Sequence, residues 1–114
     1  MSKQSKSIAA LPESIKQDLI SVGKNIQIAR KRRRIPLREM SERTLISVPT
    51  LRKIEAGSPS VSLGIFLQVL WTLQLHMEFQ SIADPSKDII GIQKEESRLP
   101  KRVHLEKPDV DLNF

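Results

Sequence analysis

The stretch PLREMSERTLISVPTLRKIEAG, residues 36–57, decides the fold. Its first half sets Leu37, Met40 and Ser41 at spacings of three and four, the period of one buried helical face. Pro36 suits the first helical position, where its missing N–H would have had no partner. Thr44, Leu45 and Ile46 make a turn. Ser47 then opens a second helix, because its hydroxyl can accept from backbone N–H groups two or three residues on. Pro49 is tolerated there because it falls in the first turn. Leu51 and Ile54 share an inward face with Ile46, while Val48, Pro49, Arg52, Lys53 and Ala56 point outward. Gly57 supplies a C-terminal cap. The pattern predicts two short helices joined by a tight turn, the second offering an outward face that starts small or apolar and continues with two cations.

Upstream, Pro12 and Glu13 resemble a helix start, and Ile15, Leu19, Val22, Ile26 and Ala29 follow at alternating spacings of four and three. One amphipathic helix running to about Arg33 is expected. Charge is concentrated at its end. The formal net charge of the 114 residues is +6. Residues 24–43 alone hold eight cations (Lys24, Arg30, Lys31, Arg32, Arg33, Arg34, Arg38, Arg43) and two anions (Glu39, Glu42), so the rest of the chain is neutral. Five consecutive cations at residues 30–34 exceed what a helix C-terminal dipole calls for. They point to a polyanion as partner.

Downstream, residues 58–62 form a turn-rich connector whose Ser62 can cap a helix from Leu63 to about Leu73 or Gln74. That helix is apolar nearly all round, so it must be buried on more than one side. Leu63, Phe66, Leu70 and Leu73 can close the core. The surplus, Trp71 included, argues for a dimer interface. In residues 75–82, LHMEFQSI, the apolar Leu75, Met77 and Phe79 alternate with His76, Glu78 and Gln80, the period of a strand. A lone strand needs a partner. The expected one is the same strand across a two-fold axis, the alternative being residues 89–92 after a turn at 83–88. The domain so delimited runs from 11 to 83. Residues 1–10 are expected to be a flexible N-terminus and 84–114 a flexible C-terminal tail, whose acidic, apolar ending DVDLNF at 109–114 has the composition of a peptide ligand.

Other classes of function find little support. No cysteine is present, which removes disulfides, thiolate metal sites and cysteine nucleophiles together. His76 and His104 have no carboxylates at metal-ligand spacing, and Gly23, Gly57, Gly64 and Gly91 form no phosphate loop. Glu95 and Glu96 lie in the tail, where no scaffold would hold them as acid and base. The residues therefore predict a protein that is not an enzyme and takes no metal or cofactor. Without a secretory h-region or a span of about 20 apolar residues, a cytoplasmic location is expected.

Residues 30–57 resemble the helix-turn-helix of the Xre/Cro-type repressor family. Arg30, Lys31, Arg33, Ile35, Glu39, Met40, Ser41, Ile46, Ser47, Thr50, Leu51, Ile54, Glu55 and Gly57 stand in register with its pattern without a gap. Two departures are informative. Pro36 and Leu37 replace the usual Thr-Gln, removing an amide contact to phosphate, and Leu45 replaces the turn glycine, so a β-carbon must enter a turn that often needs positive φ. The chain resembles, more narrowly, the HipB-type DNA-binding antitoxins, on Ser62, Leu63, Phe66, Leu70, Leu73, Leu75, Met77 and Phe79. The resemblance implies a mainly α, lambda-repressor-like bundle of four to five helices with a short C-terminal dimerising β-strand. It also implies a homodimeric autorepressor, nucleoid-associated, that partners a HipA-like serine/threonine kinase toxin, with or without a further small antitoxin subunit.

On this reading two recognition helices enter successive major grooves about 34 Å apart on an inverted-repeat operator in double-stranded DNA. Arg52 is expected to read a guanine through N7 and O6. Val48 and Pro49 would meet thymine methyls. Ser47, Thr50 and Lys53 suit phosphate or mixed contacts, and Lys31, Arg33, Arg34 and Arg38 phosphate alone. Trp71, Leu75, Met77 and Phe79 are the expected dimerisation residues. Two other classes compete: a stand-alone Xre-type repressor, and an interaction module that has lost DNA binding through Pro36, Leu37, Val48 and Pro49.

Overall fold

The computed structural model describes residues 5–99, which divide into two units between Glu78 and Phe79. The ending at 109–114 and His104 lie outside the described residues. In the first unit the helices are α1 (Lys6–Ala9), α2 (Glu13–Arg32), α3 (Leu37–Thr44), α4 (Val48–Glu55) and α5 (Leu63–Thr72). Four of these match the expected helices. The fifth, α1, is a single turn within residues expected to be flexible, and Ser5 caps it by accepting from the Ile8 N–H at 3.2 Å.

α4 packs on α2 and α3, and α3 on α5. Ile26, Ala29, Ile35, Met40, Ile46, Leu51, Ile54, Val69 and Leu73 form the core between them. The α2–α4 crossing is unusually close. A Cβ on Gly23 would stand 2.6 Å from the Glu55 carbonyl oxygen, and one on Gly57 would stand 2.6 Å from the Ile20 Cα. Only glycines allow this backbone-on-backbone approach. The α2 stripe is buried at its C-terminal half, Ile26 and Ala29, whereas Ile15 and Val22 are exposed. In α5 the buried residues are Val69 and Leu73, flanked by half-buried Phe66 and Leu70. Leu63, expected in the core, is 61% exposed, because the first turn of α5 reaches only the rim of the bundle.

Three helices end in the same way. At the ends of α2, α4 and α5 the residue after the cap has positive φ (Arg34, Gly57, Gln74), and the next N–H reaches back five residues: Ile35 to Arg30 O at 3.3 Å, Ser58 to Lys53 O at 3.0 Å, Leu75 to Leu70 O at 2.8 Å. This is the Schellman arrangement, which satisfies carbonyls that a helix end would otherwise orphan. Pro36 proves to be the N-cap of α3 rather than its first residue. Between α3 and α4, Leu45 takes φ 62, ψ 25, as its place in a glycine turn suggested. Thr44 stitches the turn: its buried hydroxyl donates to Met40 O at 2.8 Å and accepts from the Ile46 N–H at 3.1 Å. Leu45 itself is 91% exposed, so its side chain contributes no burial. Leu45→Gly is therefore expected to stabilise the protein by about 1 kcal/mol, the left-handed cost of an L-residue less the extra unfolded freedom of glycine. An unchanged or lowered urea midpoint would refute this.

No strand forms among the described residues. Residues 75–82 make turns and a short 3-10 helix, Phe79–Ser81, instead of the expected dimerising strand. Within the chain no second strand is on offer: residues 89–92, the intramolecular alternative, are the first turn of α6 (Ile89–Arg98). Backbone groups then pair locally, Ile82 N–H to Phe79 O at 3.0 Å and Asp84 N–H to Ser81 O at 3.2 Å. The alternation does not mark a buried face either, since Leu75, Met77 and Phe79 are exposed while His76 is half-buried.

The second unit also corrects the expectation of an irregular tail from residue 84. Asp84 caps a 3-10 turn, Pro85–Lys87, by accepting from the Ser86 N–H and hydroxyl, both at 2.9 Å, and these bonds hold its carboxyl below its ordinary pKa. Asp88 starts α6 by accepting from the Gly91 N–H at 2.9 Å. No residue of α6 is buried.

Candidate nucleic-acid interface

The face to be tested is the outward side of α4 with the end of α2 and the start of α3. α4 begins at Ser47, whose hydroxyl accepts from the Thr50 N–H at 3.3 Å and donates to the Thr50 hydroxyl at 3.0 Å. Both hydroxyls are thus engaged in shaping the first turn. Pro49, Arg52 and Lys53 are exposed, and Val48 and Thr50 half-buried, as the helical period requires when Leu51 and Ile54 face the core.

Behind α4, Glu55 receives the Arg30 guanidinium in a two-pronged pair, Nε to Oε2 at 2.6 Å and Nη2 to Oε1 at 3.0 Å. Arg30 also donates from Nη1 to Ile35 O at 2.9 Å. Each side chain of the pair retains 8% of its accessible surface. One residue thereby ties the end of α2 to the end of α4 and to the segment leading into α3. The planar fork of arginine suits this; an ammonium could not make three such bonds in fixed directions.

This arrangement revises the count of cations free to meet a polyanion. Arg30 is committed inside. Arg33, expected on phosphate, donates to Ala29 O at 2.9 Å and to Leu73 O at 3.0 Å, so it fastens the end of α5. Arg43 pairs with Glu39 on the surface of α3. Left without an ion pair or hydrogen-bond partner among the described residues are Lys24, Lys31, Arg32, Arg34 and Arg38 of residues 24–43, together with Arg52 and Lys53 of α4, all exposed. Arg34 stands at the left-handed position that closes α2, which fixes its direction as the chain turns away.

Lys31 and Arg52 meet at one shallow cleft of about 320 Å³, shared with Gln27, Arg30, Leu37, Glu55 and Ala56. α3 opens beside it without a side-chain cap, since the Pro36 ring carries no acceptor. Free backbone N–H groups and two cations side by side form a surface suited to phosphate oxygens. No family model, curated protein or solved structure matches the chain. The chemistry of the site therefore stands on its own geometry.

Sequence reasoning missed Gln27 on the cleft and the structural roles of Arg30 and Gly23. Both partners of the buried pair had been in register with the family pattern, but a run of five cations gives no sign that one of them points inward. Of the expected dimerisation residues, Trp71, Leu75, Met77 and Phe79 are all exposed in the single chain. Among the described residues no group of three or more His, Asp or Glu could hold a metal, and no helix is long and apolar enough to cross a membrane.

Proposed function

We propose that this chain is a sequence-specific DNA-binding repressor, active as a homodimer, with α4 as its groove-reading helix. The observation that carries the reading is the outward face of α4: Pro49, Arg52 and Lys53 stand exposed, and Lys31 shares a cleft with Arg52. Arg52 reads a base, Val48 and Pro49 meet thymine methyls, and Lys31, Arg34, Arg38 and Lys53 hold phosphates. Ser47 and Thr50 contribute through the shape of the first turn more than through free hydroxyls. The operator is an inverted repeat in double-stranded DNA, and the protein works in the cytoplasm on the nucleoid.

Base and phosphate roles separate in one experiment. Arg52→Ala is expected to cost about 1 to 3 kcal/mol on the selected operator and to relax one base position. Arg34→Ala is expected to weaken every sequence alike and to reduce the salt slope by about one. Equal losses on operator and random DNA for Arg52→Ala would remove it from base readout.

Within this reading, the chain serves as the antitoxin and autorepressor of a HipA-like kinase toxin, a partnership that the resemblance over residues 62–79 supports. A stand-alone Xre-type repressor is the second reading. It gains from a specific observation: residues 75–82 form turns in the single chain, and the strand was one of two features behind the narrower resemblance. A tagged pull-down from the native host after nuclease treatment decides between them. A stoichiometric kinase-fold protein supports the antitoxin, and recovery of the homodimer alone supports the stand-alone repressor.

A further inference from the structure

We propose that two copies of the chain pair through α5 in an antiparallel crossing, each Trp71 seated on the Gly64 of the other, with the two-fold axis passing between Leu67 and Gln68. The inference rests on the homodimer of the proposed function and fixes where and in what register it forms.

One glycine of α5 has no purpose in its own chain. Gly23 and Gly57 are explained by the α2–α4 crossing. Gly64 is not: its φ is not in the left-handed region, and nothing lies within 4 Å of the place its Cβ would take. At 100° per residue, Gly64, Gln68 and Trp71 fall within about 60° of one another on α5. The buried Val69 and Leu73 lie on the opposite side of the helix. Gly64, Gln68 and Trp71 are accordingly exposed, Trp71 by 61%.

A large apolar knob and a notch therefore stand seven residues apart on one exposed stripe. Their separation is about 10 Å at a rise of 1.5 Å per residue. Such a stripe is its own complement. A two-fold axis through its midpoint carries Gly64 onto Trp71 and Trp71 onto Gly64, so both knobs and both notches are used at once, as an isologous contact requires. Without a Cβ at Gly64, the indole can lie against the partner's backbone.

Charge favours a second copy over a partner recognised through ion pairs. Residues 56–77 contain no Lys, Arg, Asp or Glu, although 28% of the chain is charged. This surface offers no charge with which to select an oppositely charged protein. It does allow two molecules of net charge +6 to approach without juxtaposing like charges at the contact.

The chain has no cysteine, so single introduced cysteines report the register without background. Oxidation is expected to convert Gln68→Cys into a covalent dimer, because that residue lies beside the axis. Gly64→Cys alone should stay uncrosslinked, its two copies lying about 10 Å apart, beyond the 7 Å limit for a disulfide. Mixing Gly64→Cys with Trp71→Cys should give the mixed disulfide. In sedimentation equilibrium, Gly64→Leu and Trp71→Ala should each raise the dimer dissociation constant at least tenfold, with far-ultraviolet circular dichroism unchanged. Loss of the dimer in Trp71→Ala but not in Gly64→Leu, or self-crosslinking of Gly64→Cys, would overturn the register and leave the dimer standing. A wild-type chain that sediments as a monomer at every concentration would overturn both, while the Arg52 and Arg34 variants still test DNA reading.

Discussion

Glu55→Ala is expected to destabilise the first unit by about 3 to 5 kcal/mol, the cost of leaving one member of a buried ion pair without its partner. The Arg30 guanidinium would keep its bond to Ile35 O but lose both carboxylate oxygens, and it is too deeply placed to recover them from water. A small domain has about 5 to 15 kcal/mol in all, so this single change brings the chain close to unfolding. Urea denaturation measures it directly. The double variant Arg30→Met with Glu55→Leu separates the pair's net contribution from the penalty of a broken one. Apolar residues of similar volume often replace buried pairs at little cost, so the double variant should be markedly more stable than Glu55→Ala. A loss below about 1 kcal/mol for Glu55→Ala would mean that the pair is screened like a surface salt bridge.

The second large effect is Gly23→Ala. In an open helix this change adds about 1 kcal/mol of stability, because glycine is the poorer helix former. Here the sign reverses. The new methyl would meet the Glu55 carbonyl oxygen at 2.6 Å, the Ile54 carbonyl oxygen at 2.7 Å and the Gly57 nitrogen at 2.8 Å, all of them backbone atoms that cannot rotate aside. α2 and α4 must move apart, at a cost of about 1 to 3 kcal/mol or more for an overpacked contact. The displacement also separates Lys31 from Arg52 across their cleft. Operator affinity should fall even where the variant remains folded, and a thermal midpoint equal to or above wild type would refute the tight crossing.

The helices were legible because their signals are local. Ser47 and Ser62 cap α4 and α5 as read, and Leu51 and Ile54 bury the face that their spacing assigns. The left-handed turn at Leu45 was legible by its place in a pattern that usually holds glycine. What failed was non-local. Residues 75–82 alternate like a strand, but alternation says nothing about whether a second strand exists to accept its hydrogen bonds. α6 was missed because the short apolar run Ile89, Ile90 and Ile92 fits a strand as well as a helix, and the signal that starts the helix is a single capping aspartate, Asp88. Of the five cations in the basic run, Lys31, Arg33 and Arg34 were read as phosphate contacts and Arg30 was given no role in the core. Two of them, Arg30 and Arg33, bind groups 25 and 40 residues away in sequence, which no window along the chain could reveal.

The four non-glycine residues with positive φ, Arg34, Leu45, Gln74 and Ala83, have a consequence for how the protein can change over time. Each sits in a conformation that glycine or asparagine adopts more readily, so each is a site where one substitution adds stability without touching the core. Selection removes variants that fall below the threshold for function, and it leaves such reserves unused. A lineage that recruited them would gain room to alter Val48, Pro49 and Arg52, and so to move to a new operator while remaining folded.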